Sequence, residues 1–595
     1  MTWEIAFSFL VVICMIIGLI TEIARPYIIV FVALISFFVV GILTPTETFA
    51  GFSNEGTIVV GLLFIVAGAI QKSGFVERSI SFLLATNKSE RHSLFKLLLP
   101  ITGVSAFLNN TPIVVTLTPI VRKWCRENKV SPSKFLIPLS YASILGGIVT
   151  LMGTSTNLVI HGLMIERGME GYSLFTLAKY SLPASILGII YLVTIGYKLL
   201  PDYKANALLD DNGKEYLTEI IVEDNYPYLD NPFVNKSIEE AGLRRLEGVF
   251  LIAIIRNGER IYPVKKTTKI HAHDRLIFTG NLSKIAELQN KKGLTIKTGT
   301  NVTLEKLRNG TGKLIEVVVS HQSSLLYQKI KDTQFRAKYD SGIVAVHRHN
   351  ERIDSKIGDI ILKPGDTLLL LAGTDFHERS QQSNDFYVVT SIHDHPLLNK
   401  LDKTKSWIAI GTLLVMIALV SFDVLSMLKA MSISVMVYLA CKIITAQEAK
   451  QHVQINVLLL IASAFGVGQA LFKTGAADLL ANQLIYLSRP FGTIGVLLFL
   501  YLLTVIFTEI ITNSAAAVLM FPIAVEAATR LGEDPMSFLI LITIGASASF
   551  LSPIGYQTNL IVYGPGGYKF TDYVKVGLPL SLIVMVSTIF MIQLW

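Results

Sequence analysis

Phe107-Leu108-Asn109-Asn110-Thr111 puts a polar patch inside an apolar stretch, and Ile510-Ile511-Thr512-Asn513-Ser514 does the same near the far end of the chain. Asn110 and Asn513 lie 403 positions apart, and so do Pro119 and Pro522. Further along, Gly153-Thr154-Ser155-Thr156-Asn157 matches Gly555-Tyr556-Gln557-Thr558-Asn559 at an offset of 402. Lys179, Leu182 and Pro183 match Lys575, Leu578 and Pro579 at 396, and Ala69–Gly74 matches Ala470–Gly475 at 401. The chain is therefore a duplicated unit. Polar breaks with Gly and Pro at matching places in two apolar halves point to the substrate and ion site of a transporter.

The composition agrees with a membrane setting. Of 595 residues, 51% are hydrophobic and 16% charged, and the mean hydropathy is +0.54, values of an integral membrane protein. More than half of the charges fall between Asp202 and Lys405, so a soluble insert separates two membrane halves. Runs long enough to cross a ~30 Å hydrocarbon core occur near 3–20, 26–43, 56–71, 135–151 and 174–200, and again near 406–421, 424–444, 453–471, 537–552 and 573–594. That predicts ten crossings, five per half. Met1-Thr2-Trp3-Glu4 lacks a basic n-region and a small-residue cleavage site, so the first run reads as a retained span. Cys14, Cys125 and Cys441 are scattered and show neither a disulfide framework nor metal spacing. The net charge of +8 speaks of membrane topology rather than nucleic acid.

Lys72, Arg78, Lys88 and Arg91 precede the first polar break, and Arg122, Lys123, Arg126, Lys129 and Lys134 follow it. The loop from Thr44 to Gly56 has no Lys or Arg. The positive-inside rule then predicts that the clusters and the insert are cytoplasmic and that both termini lie outside. An odd number of spans per half makes the halves inverted. Leu94–Trp124 and Gly495–Ala528 each read as a re-entrant hairpin with a polar tip, because non-helical backbone at membrane depth must be buried in protein or line a wet cavity. Gly146-Gly147 and Ser547-Ala548-Ser549 precede the second break of each half, where an unwound helix would face the hairpin tip. Carbonyls there suit Na+ and helix N-termini suit an anion.

LNNTPIV, GTSTN, TEIITNSAA and SPIGYQTN resemble the divalent-anion:sodium symporter family, which contains sodium-coupled dicarboxylate, citrate and sulfate carriers. The resemblance covers both halves. It implies sodium ligands at Ser105, Asn110 and the backbone of Gly153, and at Thr508, Asn513 and the backbone of Gly555. It implies an anion between the tips, on Asn110, Thr111, Thr156, Asn157, Asn513, Ser514, Thr558 and Asn559. Ser105 and Thr508 are themselves 403 apart. The chain departs from the dicarboxylate branch where polar side chains replace the two prolines after the unwound glycine, and so resembles the sulfate-type branch, which also carries a soluble insert. No Arg or Lys occurs in 101–121, 146–160, 508–525 or 545–562, so an anion would be neutralised by Na+, amides and hydroxyls rather than by a buried cation. Glu509, one turn before Asn513, is either a functional carboxylate or a structural one holding the hairpin; the first half has Ala106 there.

The insert repeats at an offset of 92: Gly248–Ile254 aligns with Asp340–Val346, Arg256 with Arg348, and Asp274 with Asp366. Each copy predicts a strand (218–222; 314–319), a helix (237–245; 325–335), a hairpin turning at Asn257-Gly258 in the first copy, and a closing strand (274–279; 366–371). The pattern resembles the C-terminal domain of TrkA-type potassium-channel regulators, twice. That resemblance implies pairing of such domains and a regulatory ligand, in some cases cyclic di-AMP. No GxGxxG precedes them, so the nucleotide-binding Rossmann half is absent. His271/His273 and His347/His349 sit i, i+2 on expected strands and read as solvated faces ahead of metal ligands.

The expected protein is a polytopic α-helical carrier. Residues 1–202 and 401–595 form transmembrane repeats, and 203–298 and 299–400 form TrkA-C domains. It would be a homodimer in the inner membrane importing a small divalent anion with Na+, sulfate ahead of dicarboxylates. A cation/proton antiporter and a ligand-regulated channel are the rival readings; no nucleophile–base set points to an enzyme.

Overall fold

The computed structural model describes residues 3–21, 23–74, 89–203, 403–595 and most of 217–391. Arg78, Lys88, Gly258, His349 and the domain boundaries expected at 298–299 and 400–401 lie outside the described residues. The first half contributes α1 (Trp3–Thr21), α2 (Pro26–Val39), α3 (Pro45–Ser53), α4 (Glu55–Ser73), α5 (Glu90–Ser105), α6 (Asn110–Glu127), α7 (Leu136–Gly147), α8 (Ser155–Glu166) and α9 (Ala178–Tyr191). The second contributes α10 (Lys403–Ser421), α11 (Met427–Ala440), α12 (Ala446–His452), α13 (Ile455–Thr474), α14 (Ala476–Ser488), α15 (Gly492–Ile510), α16 (Asn513–Leu531), α17 (Pro535–Ser547), α18 (Gln557–Gly566) and α19 (Phe570–Leu594).

Among the described residues, seven helices are long and apolar enough to cross a membrane: Pro45–Ser73, Ala178–Leu199, Thr404–Ser421, Ile455–Thr474, Gly492–Ile510, Asn513–Leu531 and Phe570–Leu594. The chain is a polytopic α-helical membrane protein. Two expected spans are corrected. The runs at 135–151 and 537–552 end as half-helices, α7 of 12 residues and α17 of 13, about 20 Å long at 1.5 Å per residue. Each stops at its small-residue break and resumes beyond it as α8 or α18. Both arms of the second hairpin are 19-residue helices, each long enough to cross by itself. α14 was not foreseen; Gly475 at φ +78 ends α13 and turns the chain into it.

The duplication reaches individual hydrogen bonds. Thr44 caps α3 and Thr445 caps α12, each in a reciprocal box with the Glu three residues on. Those glutamates then pair across the halves: Lys72 with Glu448, and Lys473 with Glu47, both at 2.7 Å. α2 and α3 pack on α13, and α4 packs on α11. The approach is close enough that a Cβ on Gly51 would overlap the Ala462 carbonyl; within the second half, one on Gly577 would overlap the Phe550 carbonyl. Tyrosines bond across the halves, Tyr141 to the Phe550 carbonyl at 2.6 Å and Tyr191 to the Val576 carbonyl at 2.9 Å.

The insert holds β1 (Leu217–Val222), β2 (Asn225–Tyr226), β3 (Leu229–Asp230), β4 (Val249–Arg256), β5 (Glu259–Ile261), β6 (Arg275–Gly280), β7 (Leu294–Ile296), β8 (Lys313–Val319), β9 (Ser341–Arg348), β10 (Glu351–Arg352), β11 (Thr367–Ala372) and β12 (Phe386–Ser391). They form two antiparallel five-stranded sheets of the same order, β5-β4-β6-β1-β7 and β10-β9-β11-β8-β12, while β2 and β3 pair alone. Each sheet carries one bidentate ion pair at the repeat offset. Arg256 meets Asp274 through Nε and Nη2 at 2.8 Å, and Arg348 meets Asp366 at 2.7 and 2.8 Å.

The expected helices of the insert are corrected. The described part of 237–245 is turns, and 325–335 reaches helix only at Phe335–Tyr339. Their amides are taken by a neighbouring strand-like segment instead, Ile238 N by the Thr268 carbonyl at 3.0 Å and Tyr327 N by the Leu362 carbonyl at 2.9 Å. Positive φ at Tyr327 and Gln334 excludes a continuous helix. His271 and His273 sit in the turn before β6, with His273 at φ +65, rather than on a strand.

The second sheet domain touches the membrane part. Arg122 on α6 pairs with Glu316 on β8 at 3.0 Å, and Arg25 Nη2 donates to the Ser323 carbonyl at 3.2 Å. Gly365 packs on Leu560, and Thr367 on Gly564.

Gly577→Ala should lower stability of the purified protein by about 1–3 kcal/mol, the usual cost of overpacking, read as a fall in thermal midpoint. Gly103→Ala, with no atom within 4 Å of the added methyl, should leave the midpoint unchanged.

Candidate functional site

The two hairpin turns and the two helix breaks meet at a cavity of about 260 Å³. Each turn ends at an N-cap residue: Asn109 before α6, whose Oδ1 accepts from Thr111 N at 3.4 Å, and the extended Thr512 before α16, whose side chain makes no cap bond. The cap leaves the first amides of α6 and α16 pointing out of the helix, where an anion is favoured.

Behind each turn lies a corner of neutral oxygens. In the first half Ser105 Oγ is 2.6 Å from Asn110 Oδ1 and 2.8 Å from the Ser143 carbonyl. Gly147 allows that approach, since a Cβ there would lie 2.6 Å from Asn110 Oδ1. Gly153 in turn sits on the Gly147 carbonyl. In the second half Thr508 Oγ1 is 3.1 Å from Asn513 Oδ1 and 2.5 Å from the Ala546 carbonyl. A Cβ on Gly555 would lie 3.0 Å from the Thr508 carbonyl. The structure thus brings together Ser105, Asn110 and Gly153, and likewise Thr508, Asn513 and Gly555. Hydroxyl, amide oxygen and loosened carbonyls form the donor set that suits Na+.

The breaks are held open by one asparagine each. Asn157 Nδ2 donates to the carbonyls of Gly147 and Thr150 at 3.1 and 2.7 Å. Asn559 Nδ2 donates to those of Ser549 and Ser552, both at 3.0 Å. These two side chains serve the backbone and do not line the cavity. Thr156 lines it with a buried hydroxyl that has no protein partner; Thr558 Oγ1 is also without one but is not on the wall.

On the wall stand Asn109, Thr111, Thr154 and Ser155 of the first half, and Thr512, Asn513, Ser514, Gly555, Tyr556 and Gln557 of the second. Asn110 is absent from it because its amide is engaged: Nδ2 donates to Tyr556 OH at 2.7 Å. Thr154 Oγ1 is 3.2 Å from the same phenol, and Thr111 Oγ1 donates to Gln557 Oε1 at 3.1 Å. The second half therefore completes the first half's corner. Glu509 serves the break through Oε1, which accepts from Leu551 N at 2.8 Å, while Oε2 lies beside Gly555. Sequence reasoning passed over Asn109, Tyr556 and Gln557 although the motifs contain them. It also passed over Arg25, Tyr327 and Pro364, which complete the wall from the α1–α2 connection and from the insert. The half-buried Arg25 lines the same cavity and lies outside the four segments that lack Lys and Arg.

A polytopic helical protein whose broken helices enclose a polar cavity is a membrane transporter, not an enzyme. The chain belongs to the citrate transporter family, whose model matches residues 12–533. It is 33% identical over 559 residues to the putative sulfur deprivation response regulator of Chlamydomonas reinhardtii, covering 92% of this chain and 94% of that one. It is 32% identical to an uncharacterized transporter of Synechocystis sp., covering 93% and 91%. Sodium/sulfate cotransporter 1 of Chlamydomonas reinhardtii is 24% identical, covering 92% and 84%.

Tyr556→Phe removes the phenol shared by Asn110 and Thr154 and leaves a buried amide N–H without a partner, a loss of about 1–3 kcal/mol. Uptake should fall at least about fivefold with expression retained. Full uptake would show that the cross-half bond is dispensable.

Proposed function

We propose that the protein is a Na+-coupled symporter of a small divalent anion, with sulfate ahead of dicarboxylates. The observation that carries this reading is the pair of equivalent oxygen corners, at Ser105–Asn110 and Thr508–Asn513, flanking one cavity. Each corner would take a Na+, and the amides of α6 and α16 with Thr111, Thr156 and Ser514 would take the anion. Polar residues in place of the two prolines, and a relative named as a sodium/sulfate cotransporter, favour sulfate.

Inversion of the halves is supported by the two cross-half ion pairs. Lys72 ends α4 and meets Glu448 just before α13, while Lys473 ends α13 and meets Glu47 just before α4. Two helices joined end to start at both ends run antiparallel. A cytoplasmic insert is supported by its contacts, because Arg122 of the basic cluster is the residue that pairs with Glu316. The repeated sheet with its Arg–Asp pair supports two TrkA-C domains, which would bind a cyclic dinucleotide and help assemble a homodimer. Transport would proceed by movement of the hairpin-bearing core against the remainder, as in other carriers built from inverted repeats.

The coupling follows from electrostatics. Burying a divalent anion without countercharge costs many kcal/mol, so bound Na+ supplies much of the compensation. By linkage the anion then raises Na+ affinity by the same factor. Replacing Na+ by choline should weaken sulfate binding to the purified protein at least about tenfold, or about 1.4 kcal/mol, as read by calorimetry. Equal affinity in both salts would refute sodium coupling and turn attention to protons and Glu509. Asn110→Ala or Asn513→Ala should abolish uptake into proteoliposomes with folding intact.

A further inference from the structure

Among the described residues that line the cavity, Arg25 alone carries a charge. It sits at the N-cap of α2 with extended backbone, and its side chain makes no cap bond. One of its five N–H donors reaches the Ser323 carbonyl at 3.2 Å. No carboxylate pairs with it among the described residues. A half-buried guanidinium with no counter-ion among the described residues, on a wall whose other described residues are neutral, is a fork for an oxyanion.

We propose that Arg25 is the specificity-determining residue that selects a divalent over a monovalent oxyanion at this cavity, and that the Ser323 carbonyl occupies its fork when no anion does. The proposal rests on the anion-symport reading and deepens it. Sulfate and a short dicarboxylate share the chemistry: two negative charges, of which the hairpin amides and Na+ meet one part and the guanidinium the rest. Ser323 belongs to the insert, whose Tyr327 and Pro364 complete the same wall. Anion and insert therefore draw on the same donors, so a bound anion loosens the insert's hold at this point.

The test is Na+-dependent uptake of sulfate, succinate and monomethyl succinate by the full chain in proteoliposomes, for wild type, Arg25→Gln and Arg25→Lys. Arg25→Gln should raise KM for the two divalent anions about tenfold, the worth of one charge-assisted contact. kcat and thermal midpoint should stay near wild type. The preference for succinate over its monoester should shrink by a similar factor, and Arg25→Lys should restore most of it. Unchanged KM and unchanged charge preference in Arg25→Gln would overturn the assignment. So would a rise in kcat alone, which would make Arg25 a latch for the insert and nothing more. Wild type that takes up neither divalent anion with Na+ would overturn the symport reading, and this one with it.

Discussion

A backbone broken inside a membrane has to satisfy its own polar groups, and the rest of this structure follows from how it does so. Water is absent from the hydrocarbon, so every freed N–H and C=O needs a protein partner or a wet cavity. Two breaks are stapled by asparagine, each amide spanning two carbonyls of its own break ten and seven residues upstream. The geometry is the same in both halves. Gly153 packs against the tied-back Gly147 carbonyl, and Gly555 against Ser549 Oγ, Glu509 Oε2 and the Thr508 carbonyl, where neither has room for a side chain.

The halves depend on each other at every level. Ion pairs join the ends of α4 and α13, tyrosine phenols reach carbonyls of the opposite half, and Tyr556 finishes the corner around Asn110. Small residues make this approach feasible. In a lipid medium hydrophobic exclusion does not press helix on helix, so close packing and interhelical hydrogen bonds have to hold the halves together. The first repeat alone would leave its corner without Tyr556 and Gly51 without the Ala462 carbonyl it packs against.

The offsets of 403, 402 and 401 made the equivalent pairs legible before any coordinates: Ser105 with Thr508, Asn110 with Asn513, Gly153 with Gly555. Local chemistry was legible as well, since polar patches and paired glycines mark broken helices. Contacts between halves were not. Asn110 and Tyr556, like Thr111 and Gln557, are 446 positions apart, a spacing unrelated to the repeat. Arg25 was not legible because it lies outside the repeated motifs, whereas a cavity draws its wall from whatever packs beside it. The insert's strands showed through the repeat at an offset of 92 and the Asn257-Gly258 turn. Its helices were misread because an apolar spacing that fits a helix also fits turns whose amides bond a neighbouring segment, as Ile238 and Tyr327 do.

The cavity's charge balance turns on a residue outside the hairpins. The hairpin tips carry no Lys or Arg, so the hairpins by themselves would offer an anion only dipoles and whatever cations bind in the corners. Dipoles and reversibly bound ions release their guest readily, which a carrier needs, but they discriminate poorly by charge. A permanent guanidinium deep between the tips would discriminate well and would hold the anion against release. Arg25 lies instead on the α1–α2 connection, where the insert closes the wall. A cation at that position can act on the anion as it enters or leaves and need not move with the hairpins.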